Sequence, residues 1–548
     1  MNRPIQFIIL MNLGVLLFSG KANAQLKDTL IDTKVFEVEK TFKPILSEAL
    51  KIPVNPNPEK PELKRPEFKY DQVAIQAVAS EPNVYTIKPL SMGTSVLPKL
   101  KGNYMRVGFG NYSMPMGEIY LNTVRNRKVQ AGVFLKHLSA SGNEQFNNFS
   151  NNTAYGYVKS LQKKQVYSLD AYYYRNRVQL YATPKDNQNA EELGKRVYQT
   201  FDIKGAIASS HSDSSDFKHH TELNFYRYQN QAKDAENDYQ IKTRLNKTFE
   251  GIPFELDAGL RINQYQFQGM EFNRRFFHFN PMIRLDDKDF YLHGGLNTFF
   301  ATDSNGTNSY FFPKAEGGFH LVAKKLVVYA GLTGNPLIRT FRSITSENPF
   351  MNSPMAGLTV NRFEIFGGFK GQLGPMTAFT LQSSSSRLEN NLFYGYDSSS
   401  YSQLALYDSG KGSLTRLVAS LTHGIGDKWR FGTQVAVNNY TLSTLSKAFG
   451  RPELEIQAHA LYHMGEKFTI RIDYSYWGKR YSLIKKPNSQ EEVKLDPFND
   501  VSLGLEYHYR KNLGAFVNLN NLASTGYQRW YNYPVYGFNL LAGFNFTF

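Results

Sequence analysis

From Gly102 to Phe548 the chain alternates apolar and polar residues with a period of two, and nothing else in it restricts the fold as tightly. The final segment is the clearest case. Phe538, Leu540, Ala542, Phe544, Phe546 and Phe548 alternate with Asn539, Leu541, Gly543, Asn545 and Thr547 up to the terminal carboxylate. Successive side chains of a β-strand point to opposite faces, so this strand is apolar on one face and small or polar on the other. "KFTIRIDYSYW" sets Phe468, Ile470, Ile472, Tyr474 and Tyr476 against Lys467, Thr469, Arg471, Asp473 and Ser475. "VSLGLEYHYR" sets Val501, Leu503, Leu505, Tyr507 and Tyr509 against Ser502, Gly504, Glu506, His508 and Arg510. Two environments supply that asymmetry: the core of a soluble sandwich, and a bilayer wrapped around a wet barrel.

The connections separate the two. Short turns fall at 125–128, 161–165, 210–216, 250–253, 286–289, 323–325, 373–376, 424–428, 464–467 and 510–514. Between consecutive turns the sequence fits one strand, one longer polar loop and one returning strand, as at "SASGNEQFNNFSNN", "YATPKDNQNAEELGK", "SITSENPFMNSPMAG" and "SLIKKPNSQEEVKLDPFND". Ten turns and eleven loops join about 22 strands. Short connections on one side and long ones on the other mark a transmembrane antiparallel barrel of the outer-membrane type. The expected fold class is therefore all-β, with a short Pro-rich N-terminal extension.

The start of the chain agrees with export. Arg3, an apolar run from Ile8 to Phe18 and the small-residue site Ala22-Asn23-Ala24 read as a signal peptide over residues 1–24. Residues 25–101 differ from everything after them: a short amphipathic stretch at 41–52 precedes Pro53, Pro56, Pro58, Pro61 and Pro66, the composition of an extended strap. The expected domains are thus 1–24, a periplasmic or lumenal extension at 25–101, and the barrel at 102–548. Cysteine is absent, which excludes disulfides, thiol catalysis, cysteine-bound metals and a lipidated N-terminal cysteine. The net charge of +16 falls to +14 once Arg3 and Lys21 leave with the signal, and the cations are spread rather than clustered, so anionic headgroups or solutes are expected partners and nucleic acid is not.

The stretch Phe516 to Phe548 resembles the last hairpin of TonB-dependent receptors: an Asn-Leu-x-Asn stretch at Asn518 to Asn521, Tyr533-Pro534 and Gly537 near the loop exit, and a C-terminal aromatic. Where that family usually continues Gly-Arg, this chain has Gly537-Phe538. Residues 108–142 also look like the first strands of plug-less barrels of this kind, and only the 77 residues 25–101 precede the barrel. The resemblance is thus to a TonB-dependent receptor-like barrel lacking the usual plug domain. It implies uptake of, or a receptor for, a ligand, with Phe544, Phe546 and Phe548 read by the barrel-assembly machinery. It also implies an energy-coupling protein as a partner, for which Asp32, Thr33, Val35 and Val38 in "DTKVFEV" resemble a TonB box. Two alternatives stand beside uptake: a non-transporting scaffold docking a surface lipoprotein or envelope complex, and a diffusion pore.

No phosphate loop, His-Glu-x-x-His motif or calcium loop occurs, so no cofactor or metal is expected and the chain reads as a non-enzyme. His137 and Ser139 share a strand face, but two-residue spacing is expected to keep base and nucleophile apart. The polar face of the late strands supplies candidate lumen-lining residues: Glu453, Glu455, His459, Lys467, Arg471, Asp473, Glu506, His508 and Arg510.

Overall fold

The computed structural model describes residues 102–548 except 125, 127, 143–146, 183–193, 212, 304–305, 323–324 and 353–355. The expected signal peptide, the extension at 25–101 and the TonB-box-like stretch lie outside the described residues. The first strands are β1 (Asn103–Gly110), β2 (Met114–Asn122), β3 (Val129–Ser141), β4 (Asn148–Leu161), β5 (Gln165–Gln179), β6 (Lys195–Ser209), β7 (Phe217–Asn230) and β8 (Ala235–Phe249). There follow β9 (Ile252–Phe267), β10 (Met270–Asp286), β11 (Phe290–Asp303), β12 (Gly306–Val322), β13 (Leu326–Arg339), helix α1 (Phe341–Glu347), β14 (Gly357–Gln372), β15 (Thr377–Asp397) and β16 (Ser402–Ile425). The chain ends with β17 (Trp429–Thr441), β18 (Leu454–Met464), β19 (Phe468–Trp477), β20 (Arg480–Lys486), β21 (Ser489–Leu495), β22 (Phe498–Arg510), β23 (Leu513–Asn520), β24 (Gln528–Trp530), β25 (Tyr533–Pro534) and β26 (Asn539–Thr547).

Each wall strand pairs antiparallel with its neighbours, and β1 pairs with both β2 and β26, which closes the ring. The hairpins β20–β21 and β24–β25 stand off the wall, leaving a closed barrel of 22 strands. Closure gives every wall strand a neighbour on both sides, the condition for a sheet to cross hydrocarbon. The alternation settles which face is which. Along β26, Leu540 is 37% and Phe544 64% exposed while Leu541 and Asn545 are buried. In β19, Phe468 and Ile472 are exposed apolar residues on the outer face, and Arg471 and Asp473 pair with each other on the inner one at 2.8 Å.

The ten short turns all separate consecutive strands at one end of the barrel. At the other end the expected pattern needs correction. The connections at 111–113, 231–234, 268–269 and 398–401 are tight turns rather than long loops. β3 runs to Ser141 and β4 starts at Asn148, so most of the expected loop over 139–152 is strand. The expected loop over 482–500 is largely the β20–β21 hairpin.

One sector of the wall does not stay on the ring. The β12–β13 ladder stops at Ala315↔Leu332 although β12 begins at Gly306 and β13 continues to Arg339. Above that level β14 slips register between Asn361 and Phe363, and the β15–β16 ladder slips between Glu389 and Asn391. Bulges bend strands, and here the outer ends of β13–β16 lean across the mouth. Tyr396↔Ile484 and Asp397↔Lys485 pair β15 in parallel with β20. Leu392, Phe393, Tyr394, Gly395 and Tyr396 are all buried, so both faces of β15 are covered there. A strand left on the circumference would bury one face only.

The face assignment is testable. Ile472→Arg places a charge toward lipid at a cost of ~2–4 kcal/mol near the midplane, whereas Thr469→Arg meets water. Outer-membrane fractions are expected to hold much less heat-modifiable Ile472→Arg protein than Thr469→Arg protein; equal amounts would refute the register.

Candidate functional site

The segment between β13 and β14 turns inward and is held by wall residues. Arg274 of β10 donates from Nη1 to the carbonyls of Arg339 (3.1 Å) and Gly357 (3.2 Å), the two residues at which the segment leaves and rejoins the wall. Its Nη2 donates to Asn263 Oδ1 at 2.6 Å, Asn263 donates to Asp238 Oδ2 at 2.8 Å, and Asp238 accepts from Arg261 Nε. Glu236, fully buried, accepts from the Phe341 backbone N–H at 2.7 Å and from Tyr226 Oη at 2.6 Å. Thr340 and Ser343 form a capping box that starts α1. Phe341 then sits among the rings of Tyr198, Tyr228 and Tyr265 with centroids 5.1–6.4 Å away. Tyr198 Oη donates to the Pro349 carbonyl at 3.0 Å, and Arg342 pairs with Asp202 at 2.7 Å. The buried carboxylates and guanidinium would be costly without partners, and the incoming backbone supplies partners to several of them.

The opposite side of the mouth is closed by the segment after β23. Arg480 is fully buried and donates to the carbonyls of Arg529 (2.7 Å), Gln528 (2.8 Å) and Asp496 (3.3 Å). Burial, reinforced by the neighbouring Arg529 charge, brings its pKa down to about 10. Phe350 stacks on Tyr533 at 4.1 Å, Tyr533 Oη donates to the Tyr401 carbonyl at 2.5 Å, and Gln403 Nε2 donates to the Tyr531 carbonyl at 2.9 Å. The two sides meet in one cluster of Leu180, Ile344, Met351, Leu392, Tyr394 and Trp530 with their neighbours. The mouth is stoppered by the chain's own loops.

Where the stopper meets β16–β19 there is a cavity of about 330 Å³. Arg416, Arg451, Arg529, Trp477, Trp530 and Tyr440 are among its lining residues. Arg451 pairs with Glu347 at 2.5 Å and Asn438 donates to Glu455 at 2.9 Å. Burial opposes the charge on Glu347, yet Arg451 holds its pKa below the ordinary glutamate value. Among the described residues Arg416 and Arg529 have no carboxylate at ion-pair distance, and Arg529 lies over the indoles of Trp477 (5.1 Å) and Trp530 (5.7 Å). The cavity therefore offers guanidinium donors and flat rings, a chemistry suited to an anion.

The nine charged residues singled out in the sequence do not converge. Glu455 lines the cavity, and Glu453 contributes a backbone carbonyl to Asn438 nearby. His459 stands across from Asp473, which pairs with Arg471. Glu506 accepts from Asn545. Lys467 contributes its carbonyl to the His508 N–H at the short-turn end, where Arg510 lies over the Tyr509 ring. No local sequence pattern marks the stopper or its anchors Glu236 and Arg274. One expectation is overturned: His137 Nε2 lies 3.1 Å from Ser139 Oγ, because the imidazole lies along the strand and spans the ~6.7 Å between same-face neighbours.

No protein-family model matches the chain, and no curated protein matches its sequence. Solved structures do. The FrpB iron transporter from Neisseria meningitidis superposes with a TM-score of 0.65 at 11% identity, covering 82% of each chain. The pyoverdine outer membrane receptor FpvA from Pseudomonas aeruginosa gives 0.64 at 12% identity, over 83% of this chain and 79% of that one. The ferric-catecholate import receptor Fiu from E. coli gives 0.61 at 12% identity over 82% of each. These neighbours are receptors and transporters, and what this chain shares with them is the fold: a closed 22-strand barrel of the kind on which TonB-dependent outer-membrane receptors are built.

Proposed function

We propose that the protein is an integral outer-membrane receptor that captures or takes up a ligand through a barrel kept closed by its own outer loops. The observation that carries this reading is the stopper, latched by Arg274 and Glu236 on the inner wall. A general diffusion pore has no use for a mouth filled by a buried aromatic cluster. A ligand receptor does, because a barrel of this size is otherwise a wide hole in the envelope. In this reading residues 1–24 direct export, and Asp32, Thr33, Val35 and Val38 meet an energy-coupling protein in the periplasm. Residues 25–101 stand in place of the ordinary plug. The ligand chemistry follows from the cavity: an anion carrying a flat ring satisfies Arg416 and Arg529 and stacks on Trp477 and Trp530.

Two measurements test this. In planar bilayers the full mature chain is expected to stay closed, while Arg274→Ala combined with Glu236→Gln produces large opening steps; a wild-type barrel as open as the double variant would favour the pore. The second uses fluorescence. The chain has three tryptophans, and two of them line the cavity. In a Trp429→Phe background, phenyl phosphate is expected to quench emission saturably, benzyl alcohol is not, and Arg529→Gln is expected to weaken binding by about tenfold, the loss of one charge-assisted hydrogen bond. Equal response to the charged and neutral probes would remove the anion assignment.

A further inference from the structure

A second polar cluster lies on the opposite side of the wall. In β3 the inward residues are known from their partners: Lys136 pairs with Glu118 at 2.7 Å, and Leu138 and Ala140 pack with Phe516 and Leu541. Val133 and Leu135, 47% and 45% exposed, take the other face, so His137, Ser139 and Ser141 follow them toward lipid. His137 faces Asn152 across the ladder to β4, and Ser139 faces Ser150. His137 Nδ1 lies 2.7 Å from Asn152 Oδ1 while Nε2 lies 3.1 Å from Ser139 Oγ. Asn152 is held in turn by donating Nδ2 to Ser150 Oγ at 3.3 Å.

With the Asn152 amide turned so that its NH₂ meets Ser150 and its oxygen meets the imidazole, the tautomer protonated at Nδ1 leaves Nε2 to accept from the serine hydroxyl. A nucleophile, a base and a group orienting the base are thereby in hydrogen-bond sequence, the arrangement that activates a serine on several unrelated folds. One strand further on, Ser150 faces Arg177 and Asn152 faces Arg175. Arg177 stands two strand spacings, ~9.6 Å, from Ser139 with only the small Ser150 between them, within reach of a long side chain. Its buried Nε has no hydrogen-bond partner among the described residues. The group sits near the loop end of β3 and β4, at the level where the expected orientation places the outer-leaflet headgroups.

We propose that His137, Ser139 and Asn152 form an ester-hydrolysing site on the lipid-facing surface of the barrel, and that its substrate is an acyl ester of a membrane lipid. Ser139 Oγ bonds to the ester carbonyl carbon as its proton passes to His137 Nε2. The tetrahedral adduct collapses, breaking the bond to the lipid alcohol oxygen, which takes the proton from Nε2. Water then adds to the acyl-serine, giving its proton to Nε2; the carboxylic acid leaves and the proton returns to Ser139. Arg177 is the cationic donor for the developing oxyanion, and Arg175 meets the headgroup phosphate. Ser139 and His137 are the catalytic residues, and Asn152 is a positioning residue. The site is independent of the lumen and of the receptor reading.

The experiment uses the full mature chain in mixed micelles of dioleoylphosphatidylcholine, with released fatty acid measured and a fluorophosphonate probe located by mass spectrometry. Folding of every variant is followed by heat-modifiable mobility. The expected result is probe on Ser139 and fatty-acid release that Ser139→Ala abolishes and His137→Ala lowers by about 10²-fold or more. Asn152→Ala is expected to reduce the rate, and Asn152→Asp to restore it with the acid limb of the pH profile moved to higher pH. A carboxylate beside the imidazole favours its charged form, and the charged groups facing it across the ladders are otherwise the cationic Arg175 and Arg177. A merely structural amide would not move that limb. Folded wild type that takes up no probe and releases no more fatty acid than Ser139→Ala would overturn the proposal.

Discussion

Hydrocarbon offers no partner to a backbone N–H or C=O, and the rest of this structure depends on meeting that constraint. The ladder between β1 and β26, from Tyr104↔Thr547 to Gly110↔Leu541, is where it is met, since it removes the last two free edges of the sheet. Once the sheet is closed, the two-residue period assigns every side chain to lipid or lumen. The terminal alternation from Phe538 to Phe548 is the closing strand written in that code.

Closure creates the second problem. A ring of 22 strands encloses more space than inward side chains fill, and on the outer side this chain fills it with its own connections. The physical means is a set of buried polar groups on the inner wall that the incoming segment helps to satisfy. Arg274 needs carbonyls and finds those of Arg339 and Gly357; Glu236 needs a donor and finds the Phe341 N–H. Apolar burial then adds Phe341, Ile344 and Met351, each no more than 1% exposed. Withdrawing the segment would expose the aromatics and leave those polar groups to be rehydrated together, so the stopper comes out as a unit or stays in.

The wall was legible in the sequence because each of its rules is local. All ten short turns and the faces of β19, β22 and β26 follow from strict alternation punctuated by polar clusters. The stopper was not, because it joins residues far apart in the chain: Met351 with Gln403, Tyr396 with Ile484, Phe350 with Tyr533. No period records such contacts, and Glu236 and Arg274 look like any other inward polar residue. The same locality misplaced the outer connections, since Ser, Asn and Gly around residues 139–152 read as loop while the ladder carries them as strand. His137 and Ser139 were visible as a pair, but their contact depends on how the ring lies, which spacing alone does not state.

The chain has no cysteine, so a single introduced thiol reports one position without background. Met351, 1% exposed, lies at the centre of the stopper, whereas Ser399 is exposed at the turn above it. The most direct test is labelling of Met351→Cys and Ser399→Cys on intact cells with a membrane-impermeant maleimide. A stopper held in the barrel predicts rapid labelling at 399 and almost none at 351. Equal labelling at both positions would contradict it.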